Sequence, residues 1–472
     1  MRLEEIVDAL EIAQNTTIPL DESQNGVLVN GLSYDSRNTK IGDLFFCVSG
    51  NTQDGHDFAS HAVENGASVL VVERNLELQT PQVKVRDVRS AMAEISEIFF
   101  NFPSKELVTA GITGTNGKTT TVNLLADIAA SADQNSATIG TLTGTRTTPE
   151  APDLQRQIRE LVDAGKSFLS MEVSSHALSQ RRISNIKYDV AVFTNLSLDH
   201  LDFHGDMETY FQAKALLFTP AHAKYAVINV DSPYGQRLAE GIEIPHRTIS
   251  MDEIEILHES IRASVFIWEG EKIELQIPGT FNMENALAAA VTAQVLGFEK
   301  SSIVKGLSEA QAIPGRFEVV NLDENGPTVI VDYSHTPEGL RKVLESAKSI
   351  SASGEVHVVF GCGGDRDKSK RPQMAEVSEG IASFVYLTSD NPRSEDQLSI
   401  IDDVIPGFTD FSDVYVEPDR RKAILHAIQT SEKKDVIVVA GKGDEVSQEI
   451  SGEFFPLDDR EIVLEGLEAR LK

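Results

Sequence analysis

Gly-Ile-Thr-Gly-Thr-Asn-Gly-Lys-Thr-Thr, residues 111–120, follows an apolar run at 107–112 and precedes a helical pattern at 121–130. Strand, glycine-rich turn and helix in that order present backbone N–H groups and a helix N-terminus to a polyphosphate. Lys118 is then placed to reach the β- and γ-phosphates, and the Thr119 hydroxyl to sit on Mg²⁺. The strict form of this loop wants a glycine where the chain has Ile112; the glycines here are Gly111, Gly114 and Gly117. The stretch reads as a variant phosphate loop, with Gly114, Thr115, Asn116, Gly117, Lys118, Thr119 and Thr120 as its nucleotide contacts.

The strand–helix rhythm extends outward from this loop. Strand patterns at 107–112, 136–140, 168–173, 190–194, 225–229 and 246–249 alternate with helices, the signature of a mostly parallel sheet. Dense period-2 alternation at 254–277 and a helix at 282–296 complete this region. It ends at the joint Ala312-Ile313-Pro314-Gly315-Arg316. The rhythm restarts with strands at 328–331, 356–360, 384–387, 413–416 and 436–440, and helices near 337–349 and 420–430. Upstream, helices at 3–13, 58–65 and 88–100 and strands at 27–34, 43–48 and 68–73 form a small unit. It stops at Asn101-Phe102-Pro103-Ser104. The expected fold class is α/β in three domains: a small α/β domain at 1–103, a P-loop ATPase-type parallel-sheet domain at 104–313 and a Rossmann-like domain at 314–472.

Bulk numbers bound the function. A chain of 472 residues exceeds one ordinary core. A net charge of −31 argues against an unaided nucleic-acid surface, so clustered Arg and Lys become informative. Two cysteines, Cys47 and Cys362, suggest a reducing compartment without a disulfide framework. Residues 1–13 lack the basic start and apolar core of a signal peptide. No run approaches the ~18 apolar residues of a membrane span. The expectation is a monomeric cytoplasmic protein with small-molecule partners, no nucleic acid and no membrane insertion.

Ligands of parallel sheets sit beyond the carboxyl ends of the strands, and the polar motifs fall there. Glu172, in Met171-Glu172-Val173-Ser174-Ser175-His176, reads as a metal ligand near the phosphate loop or as a salt-bridged carboxylate. His200, in Leu198-Asp199-His200, reads as a metal ligand through a neutral imidazole nitrogen, or equally as a structural histidine. Lys214 lies in a largely apolar helix and by itself reads as a snorkelling surface lysine. Asn282, with Asn285 one turn on, presents the donor and acceptor that suit an adenine edge, or simply opens a helix. Three further strand ends carry Gly361-Cys362-Gly363-Gly364-Asp365-Arg366, Ser389-Asp390-Asn391-Pro392-Arg393 and Ala440-Gly441-Lys442-Gly443-Asp444-Glu445. Arginines pair bidentately with carboxylates. Two arginines beside Asp390 and Glu445 fit a zwitterion better than a phosphate. A second phosphate site is the alternative for these turns.

Taken in order, these motifs resemble the Mur ligases, the ATP-dependent amide-forming enzymes of peptidoglycan-precursor synthesis, over essentially the whole chain. The residues that carry the resemblance lie at 114–120, 171–176, 195–205, 331–337, 361–372 and 458–461. It implies a UDP-binding, an ATPase and an amino-acid domain, with ATP and Mg²⁺ required. It implies that Ser36, in Asp35-Ser36-Arg37, serves the uridine site. Thr147, Thr148, Ser174, Gln180 and Arg182 would hold UDP-N-acetylmuramoyl-L-alanyl-D-glutamate (UDP-MurNAc-L-Ala-D-Glu). Asn282, Arg316 and Asp332 would contact ATP. Thr119, Glu172 and His200 would hold metal. Lys214 would be carbamylated, an anion for a second Mg²⁺, so that Lys118, Glu172, His200 and Lys214 carry the catalysis.

Asp390-Asn391-Pro392-Arg393 matches the form that this resemblance links to meso-diaminopimelate. That substrate carries a carboxylate that lysine lacks. Arg366 and Arg393 would clamp it, while Glu445 and the Gly441 carbonyl face its ammonium group. A lysine pocket would strand the arginine pair. The alternatives are an L-lysine-adding ligase and a catalytically silent nucleotide-binding regulator. One departure stands out: Asp444 occupies a position where the family usually has histidine, and is expected to add negative charge near the ammonium end.

Overall fold

The computed structural model describes residues 1–14, 26–50, 53–144, 146–320, 326–351 and 353–470. Three groups of elements follow one another along the chain. In the first, β1 (Gly31–Ser33), β2 (Asp43–Phe46), β3 (Val69–Val72) and β4 (Gln82–Lys84) run parallel in that order. They carry α1 (Leu3–Gln14), α2 (Ala59–Glu64) and α3 (Val88–Phe99). The strand expected at 27–34 shrinks to β1. Leu3 N donates to Val27 O and Val29 N to Met1 O, each at 2.9 Å, so this stretch is tied to the chain start instead.

The second group holds β5 (Val108–Thr113), α4 (Lys118–Ser131), β6 (Ser136–Ile139), α5 (Ala151–Asp163), β7 (Phe168–Glu172) and α6 (Ser175–Ser179). It continues with β8 (Tyr188–Phe193), α7 (Leu201–His204), α8 (Met207–Ala215), β9 (Ala223–Asn229), α9 (Pro233–Gly241) and β10 (His246–Ile249). The strands pair in parallel in the order β10-β9-β8-β5-β7-β6. The order reverses at β5, so the loop after it opens into the crevice where ligands of such sheets bind. Gly111 in β5 lies under Tyr188; a Cβ there would stand 3.0 Å from the ring. An antiparallel sheet, β11 (Ile254–Glu259), β12 (Ser264–Trp268) and β13 (Glu271–Leu275), adds Phe266, Trp268 and Ile273 to the same core. Helix α4 packs against α10 (Thr280–Val295) and α11 (Lys300–Glu309). The alanine-rich α10 is apolar nearly all round and correspondingly buried.

The third group comprises β14 (Glu318–Val319), β15 (Thr328–Asp332), α12 (Pro337–Ile350), β16 (Val356–Phe360), α13 (Lys370–Ile381), β17 (Phe384–Leu387) and α14 (Gln397–Val404). After these come β18 (Val414–Val416), α15 (Arg420–Thr430), β19 (Val436–Ala440), the hairpin β20 (Ser447–Ile450) and β21 (Glu453–Pro456), and α16 (Asp459–Arg470). The sheet order is β14-β15-β19-β16-β17-β18, parallel except for β14. A buried ion pair, Arg420 to Asp459 at 2.8 and 2.6 Å, joins α15 to α16, and Arg420 also donates to Ala440 O (3.0 Å) at the end of β19. Among the described residues no helix is long and apolar enough to cross a membrane.

Candidate active site

The turn between β5 and α4 depends on two glycines. Gly117 caps α4 at φ +85°, and a Cβ on it would stand 2.3 Å from Asn285 Oδ1. A Cβ on Gly114, at φ +156°, would stand 1.9 Å from Thr194 Oγ1. Only glycine fits both positions. Asn195 anchors the loop, accepting from Asn116 N at its side chain (2.9 Å) and from Thr115 N at its carbonyl (3.0 Å). Lys118 Nζ donates to the carbonyls of Gly114 (3.0 Å) and Thr115 (2.8 Å), so the ammonium lies along the loop. Burial pushes its pKa down, against the pull of Glu172 and Asp199. Thr120 is buried in the first turn of α4.

Thr119 Oγ1 donates to Glu172 Oε1 (3.0 Å), which also accepts from Thr141 N (2.9 Å). Lys214 is not a snorkelling lysine. It is buried; its Nζ donates to Gly114 O (2.8 Å) and lies 4.7 Å from the Tyr210 ring centre. Burial, then the charge of Lys118, drives its pKa well below the usual lysine value. His200, at φ +56°, starts α7; burial pushes its pKa down to about 2, so the imidazole is neutral at physiological pH. Hard oxygen donors on Thr119 and Glu172, beside neutral His200, fit Mg²⁺, which uses few protein ligands and keeps positions for phosphate and water. Among the described residues, no three or more His, Cys, Asp or Glu side chains form a metal cage.

The third group supplies the opposite wall of a cleft of about 990 Å³, its open mouth included. Arg316 lies with its guanidinium carbon 4.1 Å from the Tyr333 ring centre. Asp332 accepts from the backbone N of Phe317 and of Ser334, both at 2.7 Å; burial raises its pKa, against Arg316. Asn282 turns inward, donating to Pro278 O (2.6 Å) and accepting from Asn285 (3.2 Å). Phe281, Glu284 and Asn285 face the cleft in its place. The walls are bridged by Lys342 to Glu284 (2.7 Å), Asn116 to Thr336 (3.4 Å) and Lys370 to Asp199 (3.2 Å), the last buried on both sides.

Five of the residues assigned to the muramoyl dipeptide meet beyond Glu172. Thr148 Oγ1 donates to Glu172 O (2.9 Å) and accepts from Ser174 N (3.0 Å). Arg182 donates to Thr148 O (2.8 Å) and Gln180 Oε1 (2.5 Å), and Thr147 shares a hydrogen bond with Thr141 (3.2 Å). Ser36 belongs to the first group, where its hydroxyl meets His61 Nδ1 (3.0 Å) and its carbonyl accepts from Asn65 (2.7 Å). Tyr34 ties that loop to α5 by donating to Asp153 (2.5 Å).

Arg366 and Arg393 both border Gly363: a Cβ there would stand 2.9 Å from Arg393 Nη1 and 3.8 Å from Arg366 Cγ. Arg393, at φ +52°, donates to Gly364 O (2.7 Å), and Arg366 is exposed. Asn391 donates to Glu445 Oε2 (2.7 Å), as does Lys442 Nζ (2.9 Å). Asp390 Oδ1 accepts from Asn391 N (2.6 Å), while its buried Oδ2 has no hydrogen-bond partner. A Cβ on Gly441, φ +117°, would stand 2.5 Å from that Oδ2. The Pro392 carbonyl accepts from Glu395 N (3.0 Å). Arg366 also reaches electrostatically to His176, pushed down to about 4 by burial and then by Arg182 and Arg366.

Comparison with known proteins assigns this arrangement. Family models match at 28–100 (Mur ligase family, catalytic domain), 112–293 (Mur ligase middle domain) and 315–443 (Mur ligase, glutamate ligase domain). The UDP-N-acetylmuramoyl-L-alanyl-D-glutamate–2,6-diaminopimelate ligase of Geobacillus kaustophilus is 42% identical over 465 residues, 93% of this chain and 95% of that one. The chain belongs to the Mur ligase family. The like-named protein of Gloeobacter violaceus is 40% identical over 463 residues, 94% of each chain. A solved structure of a UDP-N-acetylmuramoyl-L-alanyl-D-glutamate–2,6-diaminopimelate ligase, 33% identical, matches with TM-score 0.66 over 96% of this chain and 98% of that one. The MurF ligase of Thermotoga maritima in complex with ADP shares the fold at TM-score 0.67 and 20% identity, over 95% and 99%. As a Mur ligase, the chain is an ATP-dependent ligase of peptidoglycan-precursor synthesis.

Several residues of this Mur ligase site escaped the sequence reading. Asp199 Oδ2 lies 3.4 Å from both His200 Nε2 and His335 Nε2, and Oδ1 meets Lys370. Burial opposes its charge, yet Lys370 and then His335 hold its carboxyl well below the usual range. Asp199 adjoins the flagged His200, but Lys370 lies 171 positions away and carries no periodic signal. Tyr333 and Lys342 likewise emerge only in three dimensions, while Asn285, read together with Asn282, is the one of the two that lines the cleft. Asp444 is placed differently from expectation: its Oδ1 lies 3.7 Å from Arg316 Nη2, and Glu445 alone turns toward Asn391 and Lys442.

Proposed function

We propose that this Mur ligase joins meso-diaminopimelate to UDP-N-acetylmuramoyl-L-alanyl-D-glutamate at the expense of ATP, with Mg²⁺, as a monomeric cytoplasmic enzyme. The observation that carries the reading is the arginine pair, Arg366 and Arg393, bordering Gly363, with Glu445 bonded to Asn391 two positions before Arg393. The guanidiniums of Arg366 and Arg393, the latter also 3.5 Å from Glu449, suit the second carboxylate of diaminopimelate, and Glu445 and Asp390 suit its ammonium. The curated relatives carry names that specify the same amino acid for those proteins.

In this reading the loop amides at 116–119 and Lys118 hold the β- and γ-phosphates, with Arg316 and Asp332 on the facing wall. Thr148, Ser174 and Arg182 orient the dipeptide so that an oxygen of its D-glutamate γ-carboxylate attacks the γ-phosphorus. The bond from that phosphorus to the bridging oxygen breaks, ADP leaves and an acyl phosphate forms. The free amine of the amino acid then attacks the acyl carbon, phosphate departs and the amine loses a proton to give the amide. No side-chain nucleophile is needed. Thr119, Glu172, His200 and a carbamylated Lys214 are the residues that would hold Mg²⁺, which offsets phosphate charge when bound. A buried Lys214 amine, its pKa driven well down by burial and then by Lys118, suits carbamylation: the unprotonated nitrogen adds to CO₂, loses a proton and becomes anionic. Further closure of the bridged walls over the cleft would exclude water from the acyl phosphate.

The test combines enzyme, ATP, Mg²⁺, the UDP-muramoyl dipeptide and meso-diaminopimelate, following ADP release and product mass together. Equal amounts of ADP and tripeptide product are expected. ADP without tripeptide, or neither, overturns the reading.

A further inference from the structure

The loop after β19 carries two adjacent acids that face different ways. Glu445 accepts from Asn391 and Lys442 in the arginine-lined region (2.7 and 2.9 Å). Asp444 faces Arg316, its Oδ1 3.7 Å from Nη2, with side-chain exposures of 20% and 15%. Arg316 and Tyr333 line the nucleotide cleft, and Asp444 stands behind them. Asp444 Oδ1 and Arg316 Nε are both buried without a hydrogen-bond partner. Arg460, whose charge also reaches Asp444, is already bonded twice to Asp458 (2.9 and 2.6 Å), and Lys442 is bonded to Glu445 (2.9 Å).

The backbone makes this pairing rigid. Gly315, beside Arg316, has φ +66°, and a Cβ there would stand 2.1 Å from Asp444 N. Gly443 has φ +54°, and its Cβ would stand 2.6 Å from Gly315 O and 2.8 Å from Tyr333 Cβ. Loop, joint and tyrosine are thus in direct contact, and no side chain fits between them. The aromatic face attracts the guanidinium without fixing which edge points at the cleft; a carboxylate 3.7 Å behind it favours one orientation. Asparagine would keep the shape but lose the charge.

We infer that Asp444 is a positioning residue for Arg316, fixing the nucleotide-facing guanidinium from the loop that also carries Glu445. The inference rests on the proposed reading, in which Arg316 faces ATP. It assigns the one departure from the family motif to the nucleotide rather than to the amino acid.

The test is a double-mutant cycle on ADP release with D444N, R316Q and the double variant, with D444E as the charge-keeping variant. D444N is expected to lower kcat/KM for ATP about tenfold, the usual scale of coupling between contacting charged groups. KM for the amino acid should stay within about twofold, and D444E should restore most of the loss. In the R316Q background, D444N should add less than about twofold. D444A carries the same comparison if melting shows D444N to be unfolded. Effects that multiply in the cycle, or a change confined to the amino-acid KM, overturn this inference alone. Absence of ADP release by the wild type overturns the proposed reading along with it.

Discussion

Replacing Lys370 by methionine isolates the contact that joins the two walls of the cleft. Lys370 and Asp199 are each about 4% exposed, come from α13 and the loop between β8 and α7, and meet at 3.2 Å. Removing one ion of such a buried pair costs about 3–5 kcal/mol, because the other is left uncompensated. Asp199 keeps His335 Nε2 at 3.4 Å, so the lower end, about 3 kcal/mol, applies. That cost falls on the joined arrangement and not on either group of elements alone, since each partner belongs to a different sheet. At about 1.4 kcal/mol per tenfold, the joined state loses roughly a hundredfold in population relative to the separated one. Steady-state ADP release should show kcat/KM falling by up to that factor, and small-angle scattering should show a larger radius of gyration. Because Asp199 is held below the ordinary carboxylate range, this contribution is full above the unfolded pKa and is lost only as pH falls through the folded value. Wild-type kcat/KM together with an unchanged scattering curve in Lys370→Met would refute the reasoning.

Three further outcomes follow from the same geometry. Arg393→Lys removes the planar fork beside Gly363 and should lower kcat/KM for meso-diaminopimelate by about 10–100-fold while leaving the KM for ATP unchanged; parallel titrations of both substrates check this. With ¹³C-bicarbonate, the enzyme should show a carbamate carbon resonance that Lys214→Arg loses; identical spectra would remove Lys214 from the metal-holding set. His176 and His204 are both pushed down to about 4, in each case mainly by burial. For bases depressed in this way the unfolded chain takes up protons first, so stability is intact above about pH 6.5 and drains as pH falls toward 4. Thermal midpoints across that range should decline, less steeply in His204→Gln, and a flat profile would contradict the assignment.

The fold was legible where one segment carries both its period and its punctuation. The 107–130 stretch has an apolar run, three glycines and a helical pattern, and β5, the loop and α4 form there. The loops after β7, β8, β16, β17 and β19 follow the rule that places polar motifs at strand ends. What escaped depends on distant partners. Residues 27–34 look like one strand, but the chain start claims 27–29. Asn282 and Asn285 are chemically equivalent in sequence, and only the packing of α10 decides which faces the cleft. Asp444 and Glu445 look like one acidic pair, yet adjacent side chains point apart, one toward Arg316 and the other toward Asn391 and Lys442. Lys214 shows the reverse limit: its neighbours in sequence suggest a surface lysine, yet it is buried and its ammonium is bonded to the Gly114 carbonyl one hundred positions away.

The central claim is that the arginine-lined turn selects the third residue of the peptide. Its most direct measurement offers meso-diaminopimelate and L-lysine at equal concentration in one reaction and compares product masses. The diaminopimelate product should exceed the lysine product by about a hundredfold, the worth of one charge-assisted bidentate contact. Equal amounts, or an excess of the lysine product, would contradict it.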